Sequence, residues 1–334
     1  MGGKALNKYG IYTERKNTIE FKTIGLELSQ QIYIDLNLVS SIVACYRTKA
    51  DHGDLDLLIK IPEQTNIDLR KYIEKTFKPL AINANGGVYS FDYENFQIDF
   101  ILINESNWEI AKHYFDYDCC GNIMGKTYHK FNLSYGGEGM YYKFRNFNGR
   151  NSSNILISKD PRKIFEFGGY DYDRYLLGFE TLEEIFKFCI DGKYFDAEMF
   201  QFENLKHIDK KRNRKRASYH IFLKYLSDNN IKTDYKFEKN KDSYLPMIAE
   251  YFAESGLIKK MDGLKEADRI NKVVSEKFNG NIVMSWLPNL KNKELGIAIA
   301  KFKNAIGGQY NQYILNNDYD KIQDFFMSVY NGKV

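Results

Sequence analysis

The sequence predicts an α+β fold, a mixed sheet with helices packed on it followed by a mainly helical C-terminal domain. Three observations predict it. Over about the first hundred residues, short strand-like apolar runs take turns with helical periodicity. The segments DLDLLIKI and FQIDFILI read as apolar strands interrupted by acids. Beyond about residue 160 the pattern is mainly helical, in PRKIFEFGG, TLEEIFKFCID, RASYHIFLKYLSD, SYLPMIAEYFAES and KEADRINKVVSEKF. With 334 residues the chain is about two domains long. The break is expected between 178 and 200, dividing 1–180 from a helical domain 181–334.

Taken in order, TIEFKTIGLELSQQI (18–32) is a helix, and SSIVACYR and DLDLLIKI are two strands joined by the polar TKADHG. A second helix is expected at about 66–77. Asn83, Ala84, Asn85, Gly86 and Gly87 form a turn signal. Two strands follow in VYSFDYENFQIDFILI, with a tight turn near Glu94 and Asn95. Residues 106–132 read as two helices, and LSYGGEGMYYKFRN as a hairpin around Gly136 and Gly137. The glycine-rich Gly136-Gly137-Glu138-Gly139 does not follow a strand and open a helix, so it is a turn and not a phosphate loop.

Hydrophobic residues make up 43% and charged residues 28%, with a mean hydropathy of −0.51, enough for a packed core. No apolar run approaches the roughly 18 residues of a membrane span, and MGGKALNKYGIYTERKN has no apolar stretch to act as a secretion signal. A cytoplasmic protein without a membrane partner is expected. Cys45, Cys119, Cys120 and Cys189 show no C-x-x-C spacing and read as reduced thiols. The 26 Tyr and 24 Phe, with abundant Lys, Asn and Ile, share A/T-rich codons and suggest a phage or low-GC origin. A net charge of +4 argues for no nucleic-acid partner unless the charge is clustered.

The sharpest feature is Gly53-Asp54-Leu55-Asp56-Leu57-Leu58-Ile59. Strand alternation puts Asp54 and Asp56 on one face and Leu55 and Leu57 on the other. Like charges held side by side repel, and a divalent cation between them is the usual remedy. In FQIDFILI, Asp99 interrupts an otherwise apolar strand and would be buried unless it shares a metal with its neighbours. Three carboxylates on adjacent strands suit two-metal phosphoryl or nucleotidyl transfer. D-x-D is also ordinary in loops and at strand edges, so the pair alone does not decide the matter.

At this point the sequence resembles the nucleotidyltransferase superfamily of DNA polymerase beta, and within it the X-family DNA polymerases. Arg47-Thr48-Lys49-Ala50-Asp51-His52-Gly53-Asp54-Leu55-Asp56-Leu57-Leu58-Ile59 is similar to that family's arginine, variable segment and G-D-h-D-h-h-h strand, and Ile98-Asp99-Phe100 to its I-D-h third carboxylate. Tyr114-Phe115-Asp116-Tyr117-Asp118, then Asn122 and Lys126, resemble the Y-F-x-G-S segment, nucleotide-contacting asparagine and downstream arginine. Pro161-Arg162-Lys163-Ile164-Phe165-Glu166-Phe167-Gly168-Gly169-Tyr170-Asp171-Tyr172 loosely resembles the stretch closing the catalytic region, so the likeness covers about 35–175.

The resemblance implies a nucleotidyltransferase palm. It implies that Asp54, Asp56 and Asp99 ligate two Mg²⁺ ions, with Mn²⁺ as an alternative, and that Asp99 accepts the 3′-hydroxyl proton. Arg47 would grip the triphosphate bidentately, with Thr48, Gly53 and His52 nearby. Tyr114 and Phe115 would meet the sugar and base, Asn122 the base, and Lys126 the template or primer. Core packing for Tyr114 and Phe115, and helix capping for Asn122, stand as alternatives. Val43-Ala44 replaces the family's Gly-Ser, so Thr48 or backbone amides must substitute or activity falls. Tyr117 stands where the family has glycine, and Lys126 where it has arginine. Only some 35 residues precede the palm, so helix-hairpin-helix and lyase modules, and templated gap filling, are not expected.

In the second half, KHIDKKRNRKR (206–216) concentrates Lys210, Lys211, Arg212, Arg214, Lys215 and Arg216 with Lys206 and a single acid. Such a cluster neutralises nucleic-acid phosphates, the alternative being a solvated helix start. Phe278-Asn279-Gly280 through Leu295-Gly296 and Phe302 faintly resembles the tail of tRNA nucleotidyltransferases. His113, His129, His207 and His220 lack zinc-ligand spacing. The expectation is therefore a metal-dependent enzyme that adds a nucleoside monophosphate from NTP or dNTP to a DNA or RNA 3′-end. The rivals are a tRNA or other RNA 3′-end transferase and a noncatalytic nucleic-acid-binding subunit.

Overall fold

The structure is a computed structural model that describes residues 3–63, 67–117, 119–214, 216–233 and 235–333. Asp118 and Lys215 lie outside the described residues. The chain forms two compact units, Met1–Tyr142 with Leu156–Ser255, and Lys143–Ile155 with Gly256–Val334. The break expected at 180/181 falls inside the first unit.

The first unit opens with β1 (Lys16–Asn17) and α1 (Thr18–Leu36). Asn17 accepts from the amides of Ile19 and Glu20, and Glu20 reaches back to the Asn17 amide, a capping box that fixes the helix start. The buried stripe Phe21, Ile24, Leu28 and Ile32 follows helical spacing. Gly25 sits in that stripe, and a Cβ there would stand 2.4 Å from the Ile42 side chain, so the helix presses close onto the sheet.

Next come β2 (Ser40–Ile42), β3 (Asp51–His52), β4 (Asp54–Ile61), α2 (Leu69–Thr76), β5 (Ile82–Asn85), β6 (Val88–Tyr93) and β7 (Phe96–Asn104). Five of these strands form a mixed sheet in the order β2-β4-β7-β6-β5, while β1 pairs with β3 separately. The β4–β7 pair is parallel, with α2 and the β5–β6 hairpin supplying the crossover, and its register sets Asp56 opposite Asp99 and Asp54 opposite Gln97. Leu55, Leu57, Ile59, Ile98 and Phe100 point to one face and form the main core with α1 and α2. The other face carries Leu58, Ile101 and Ile103, and by the same alternation Asp54, Asp56 and Asp99.

Two sequence expectations need correction here. SSIVACYR is strand only over Ser40–Ile42, because its later backbone groups bond elsewhere: Ala44 N–H to Asp116, Arg47 N–H to the Phe179 carbonyl and Thr48 N–H to the Glu180 carbonyl. Asn83–Asn85 belongs to β5, and the turn is Gly86-Gly87, with φ of 57° and 85°. Glu94 and Asn95 do make the tight turn, both left-handed at φ 51° and 61°.

The sheet is followed by α3 (Trp108–Phe115) and α4 (Cys120–Lys130), then β8 (Leu133–Gly136), β9 (Gly139–Arg145) and β10 (Asn151–Ser158) in the order β10-β9-β8. Gly136 pairs with Gly139 across the expected hairpin turn. β10 is a strand that NSSNILIS, half polar, did not announce. Helices α5 (Pro161–Phe167), α6 (Tyr172–Leu176), α7 (Leu182–Ile190), α8 (His207–Asn213), α9 (Ala217–Asp228) and α10 (Leu245–Tyr251) complete the unit. α7 joins it through its core side chains: Cys189 Sγ lies 3.8 Å from Cys120 Sγ, Phe188 stacks on Tyr170, and Phe186 meets Phe222.

The second unit packs α11 (Leu257–Lys277), α12 (Gly280–Trp286), α13 (Asn292–Ile306), α14 (Tyr310–Asn316) and α15 (Tyr319–Tyr330) around Val274, Phe278, Val283, Phe302, Ile314, Ile322 and Phe326. Lys277 Nζ donates to the carbonyls of Ile314, Leu315 and Asn317 at 3.3, 2.7 and 3.1 Å, closing the C-terminus of α14. Leu295-Gly296 lies inside α13 and does not precede a helix. Among the described residues no helix is long and apolar enough to cross a membrane.

Candidate active site

Asp54 begins β4 and Asp56 follows one pleat later, and both open onto a cavity of about 340 Å³. Phe21, Val43, Ala44, Cys45, Lys49, His52, Tyr114, Phe115, Cys119, Asn122, Arg216 and Ser218 line the rest. Of the residues singled out in the sequence, the structure thus gathers Asp54, Asp56, Tyr114, Phe115, Asn122 and Arg216. Tyr114 and Phe115 end α3, and their rings meet edge to face at 5.2 Å. Asn122 lies in the first turn of α4, and its side-chain oxygen accepts from Arg216 Nη1 at 3.0 Å. The last basic residue of the 206–216 cluster therefore reaches the wall that carries the carboxylates.

The α3–α4 turn explains how Val43-Ala44 are accommodated. Asp116 accepts the Ala44 amide at 2.7 Å, and Tyr117 donates its own amide to the Ala44 carbonyl at 2.7 Å. Burial pushes the Asp116 carboxyl up to about 6, opposed by that backbone bond. Tyr117 has φ 64°, so it keeps the left-handed backbone that the resembled glycine would favour, its ring braced edge-on by Tyr175 and Phe179. The Ala44 amide is thereby spent. Thr48, the other suggested substitute, donates its hydroxyl to the Glu180 carbonyl at 2.6 Å.

Asp99 stands beside Asp56 in the ladder but does not line the cavity. Its carboxylate accepts from Gln97 Nε2 at 3.0 Å, and burial, reinforced by the Asp54 charge, raises it to about 6 against hydrogen bonds from Ser90 and Gln97. Arg47 is turned away, pairing with Glu180 at 2.6 Å and donating to the Leu177 carbonyl. Gly53 is buried behind Asp54, and Gly3 comes so close that a Cβ on it would meet the Gly53 carbonyl. The Gly3 amide donates to Asp54 at 3.2 Å. His52 is buried, stacked on Phe21 at 3.8 Å and bonded to the Thr18 hydroxyl, so it shapes the wall as a packed ring.

Lys126 sits one turn beyond Asn122 but outside this cavity, over the rings of Phe200 and Tyr219 at 5.6 and 4.4 Å. Burial and the nearby Arg216 lower its ammonium to about 8. Lys210 donates to the Glu203 carbonyl, while Lys211, Arg212 and Arg214 are exposed at the end of α8 and beyond it. The sequence reading passed over Lys49 and Ser218. Lys49 lies two residues after Arg47 and Ser218 two after Arg216, so proximity to the chosen arginines was the available signal.

The donor chemistry suits a divalent cation at the Asp54–Asp56 pair. Magnesium keeps several waters and takes one or two carboxylates plus substrate phosphates in preference to an all-protein cage. Among the described residues no group of three His, Cys, Asp or Glu side chains that could hold a metal ion is found.

No protein-family model matches the sequence, and no curated protein matches it. Two solved structures of Leishmania infantum polymerase beta are similar to the chain. The ternary P/T complex shares 13% identity at a TM-score of 0.38, covering 49% of this chain and 76% of that one. The ternary gap complex shares 15% identity at a TM-score of 0.33, covering 39% and 52%.

Proposed function

We propose that the chain is a nucleotidyltransferase that moves a nucleoside monophosphate from an NTP or dNTP onto the 3′-hydroxyl of a polynucleotide. The observation that carries the reading is the cavity itself, whose lining joins two carboxylates of one strand with Lys49, Arg216, Asn122 and several aromatic rings. Acids and cations lining one hollow are what a triphosphate with its counter-ion requires.

A divalent cation held by Asp54 and Asp56 would neutralise the triphosphate and the charge developing on the leaving pyrophosphate. Lys49 and Arg216 bind the phosphate oxygens, and Asn122 holds the Arg216 guanidinium in place. Tyr114 and Phe115 present ring faces and edges to the sugar and base. The 3′-oxygen forms its bond to the α-phosphorus as the bond from that phosphorus to the bridging oxygen breaks, and the electron pair leaves with pyrophosphate. Asp99 is the proton acceptor assigned by this reading, and its place behind the cavity wall makes Asp99→Asn an internal test.

The protein is incubated with Mg²⁺, each labelled NTP and dNTP in turn, and single-stranded DNA, primed DNA or a tRNA lacking its 3′ end. Extension that disappears in Asp54→Ala with Asp56→Ala supports the reading and identifies the acceptor. Nucleic-acid binding with no extension of any acceptor overturns it in favour of a noncatalytic binding subunit.

A further inference from the structure

A second cavity, of about 210 Å³, opens at the other end of α4 and belongs to none of the chemistry above. Lys126 and Lys130 from the helix, Lys206 and Asp209 from the basic segment, and Lys241 line it, with Asn204 among its polar groups. Four lysines and one carboxylate therefore line one hollow. These residues are far apart in sequence and come together only through the packing of α4 against the segments after α7.

Structural duties account for part of this charge. The C-terminus of α4 carries roughly half a negative charge and favours cations. Lys241 satisfies the His129 carbonyl there. Lys130 lies 5.7 Å from the Phe237 ring centre, and Lys126 lies over two rings. Asp209 and the helix end offset part of this charge, and among the described lining residues lysines outnumber acids. The Lys126 ammonium is itself held down by burial and by the nearby Arg216. A helix end alone requires one lysine.

We propose that this second cavity binds a phosphate monoester, taking its dianionic phosphate among Lys126, Lys130, Lys206 and Lys241. The charge matches a dianion, since a phosphate monoester carries about −1.5 to −2 at neutral pH. The volume is below the about 300–1,000 Å³ of pockets that enclose a whole drug-sized ligand, so the phosphate enters and the remainder of the molecule stays outside. Lysines act here as point charges that tolerate several approach directions. The monoester is either the terminal phosphate of a nucleic acid or that of a free mononucleotide. The inference is independent of the proposed transferase activity, because it concerns different side chains and a binding event.

The test is calorimetric titration of the full chain at low salt and about pH 7.5. The probes are inorganic phosphate, a nucleoside monophosphate, and one oligonucleotide with and without a terminal phosphate. Lys130→Gln and Lys241→Gln are each expected to weaken phosphate binding about tenfold. Asp209→Asn removes the one acid among the described lining residues and is expected to tighten it about threefold, a gain that misfolding cannot produce. If the pocket substitutions weaken the phosphorylated oligonucleotide and not its unphosphorylated twin, the source is a nucleic-acid end. If they weaken only the mononucleotide, it is the small molecule. The proposal falls if phosphate does not bind, if Lys130→Gln and Lys241→Gln leave it unchanged, or if Asp209→Asn fails to tighten it.

Discussion

The two cavities at the ends of α4 differ in sign and in origin. At the N-terminal turn, Asn122 lines a hollow together with Asp54, Asp56, Lys49 and Arg216, whereas toward the other end Lys126 and Lys130 line a hollow with four lysines and one acid among its described residues. The first is built around a local motif: two carboxylates two residues apart on one strand. The second draws single residues from positions 126, 130, 206 and 241, none of which forms a motif alone. Balanced charge suits a ligand that brings its own cation, and unbalanced charge suits a bare anion.

The largest expected effect separates the two directly. Asp54→Asn with Asp56→Asn should lower extension by about 10³-fold, because several kcal/mol of charge stabilisation are lost at the reacting phosphate. Phosphate binding at the lysine cavity should be untouched. Loss of both in the same variant would show the cavities to be one coupled site.

What the sequence made legible follows the same division. Strand alternation placed Asp54 and Asp56 on one face, and the parallel register that pairs Asp56 with Asp99 agrees with that reading of the strands. Arg47 was the chosen phosphate ligand, yet it pairs with Glu180, a partner 133 residues away that no local pattern could indicate. Lys126 was assigned to the template or primer by its likeness to the family's downstream arginine, and it stands one turn beyond Asn122. A helical turn advances about 5.4 Å, enough to move it past the cavity wall. The domain division has a related limit: a change from strands to helices is visible in sequence, whereas the packing of Cys189, Phe188 and Phe186 into the first core is not.

The cavities also carry opposite titration signatures, each of at most about 3 kcal/mol. Asp116, beside the first, holds its proton up to about 6 in the folded state against an ordinary 3.8. The folded state binds the extra proton, so stability should fall as pH rises from about 4 to about 6. Lys126, in the second, releases its proton near 8 against 10.5. The unfolded chain binds more protons between those values, so stability should rise from about pH 8 to about 10.5. Urea unfolding across pH measures both slopes. Asp116→Asn, which keeps an acceptor for the Ala44 amide, should remove only its share of the acid limb, the rest belonging to Asp99, and Lys126→Met should flatten only the alkaline one.

α4 is the wall both cavities share, and Gly121 fixes its position. A Cβ at Gly121 would stand 2.3 Å from the Tyr114 carbonyl oxygen, so Gly121→Ala must shift the helix start or the end of α3. A destabilisation of about 2 kcal/mol is expected from such overpacking, read by thermal unfolding. Extension should fall more than phosphate binding, because the displaced turn carries Asn122 and the lysine cavity lies two turns away.

The smallest expected effect concerns the arginine that left the first cavity. Arg47 and Glu180 are both more than half exposed, so their 2.6 Å pair should contribute less than about 1 kcal/mol, and Glu180→Gln should barely move the unfolding midpoint. Its consequence for the site is sharper than its consequence for stability. With the pair broken, Arg47 keeps its bond to the Leu177 carbonyl but loses the charge that holds it away from the carboxylate wall. If Arg47 serves the triphosphate, Glu180→Gln should lower the KM for nucleotide by about threefold with kcat unchanged, since a weak competing ion pair has been removed from the free enzyme. If Lys49 and Arg216 alone bind the phosphates, KM should stay where it is in Glu180→Gln and rise in Lys49→Met. The two variants, measured side by side, decide which cation the first cavity uses.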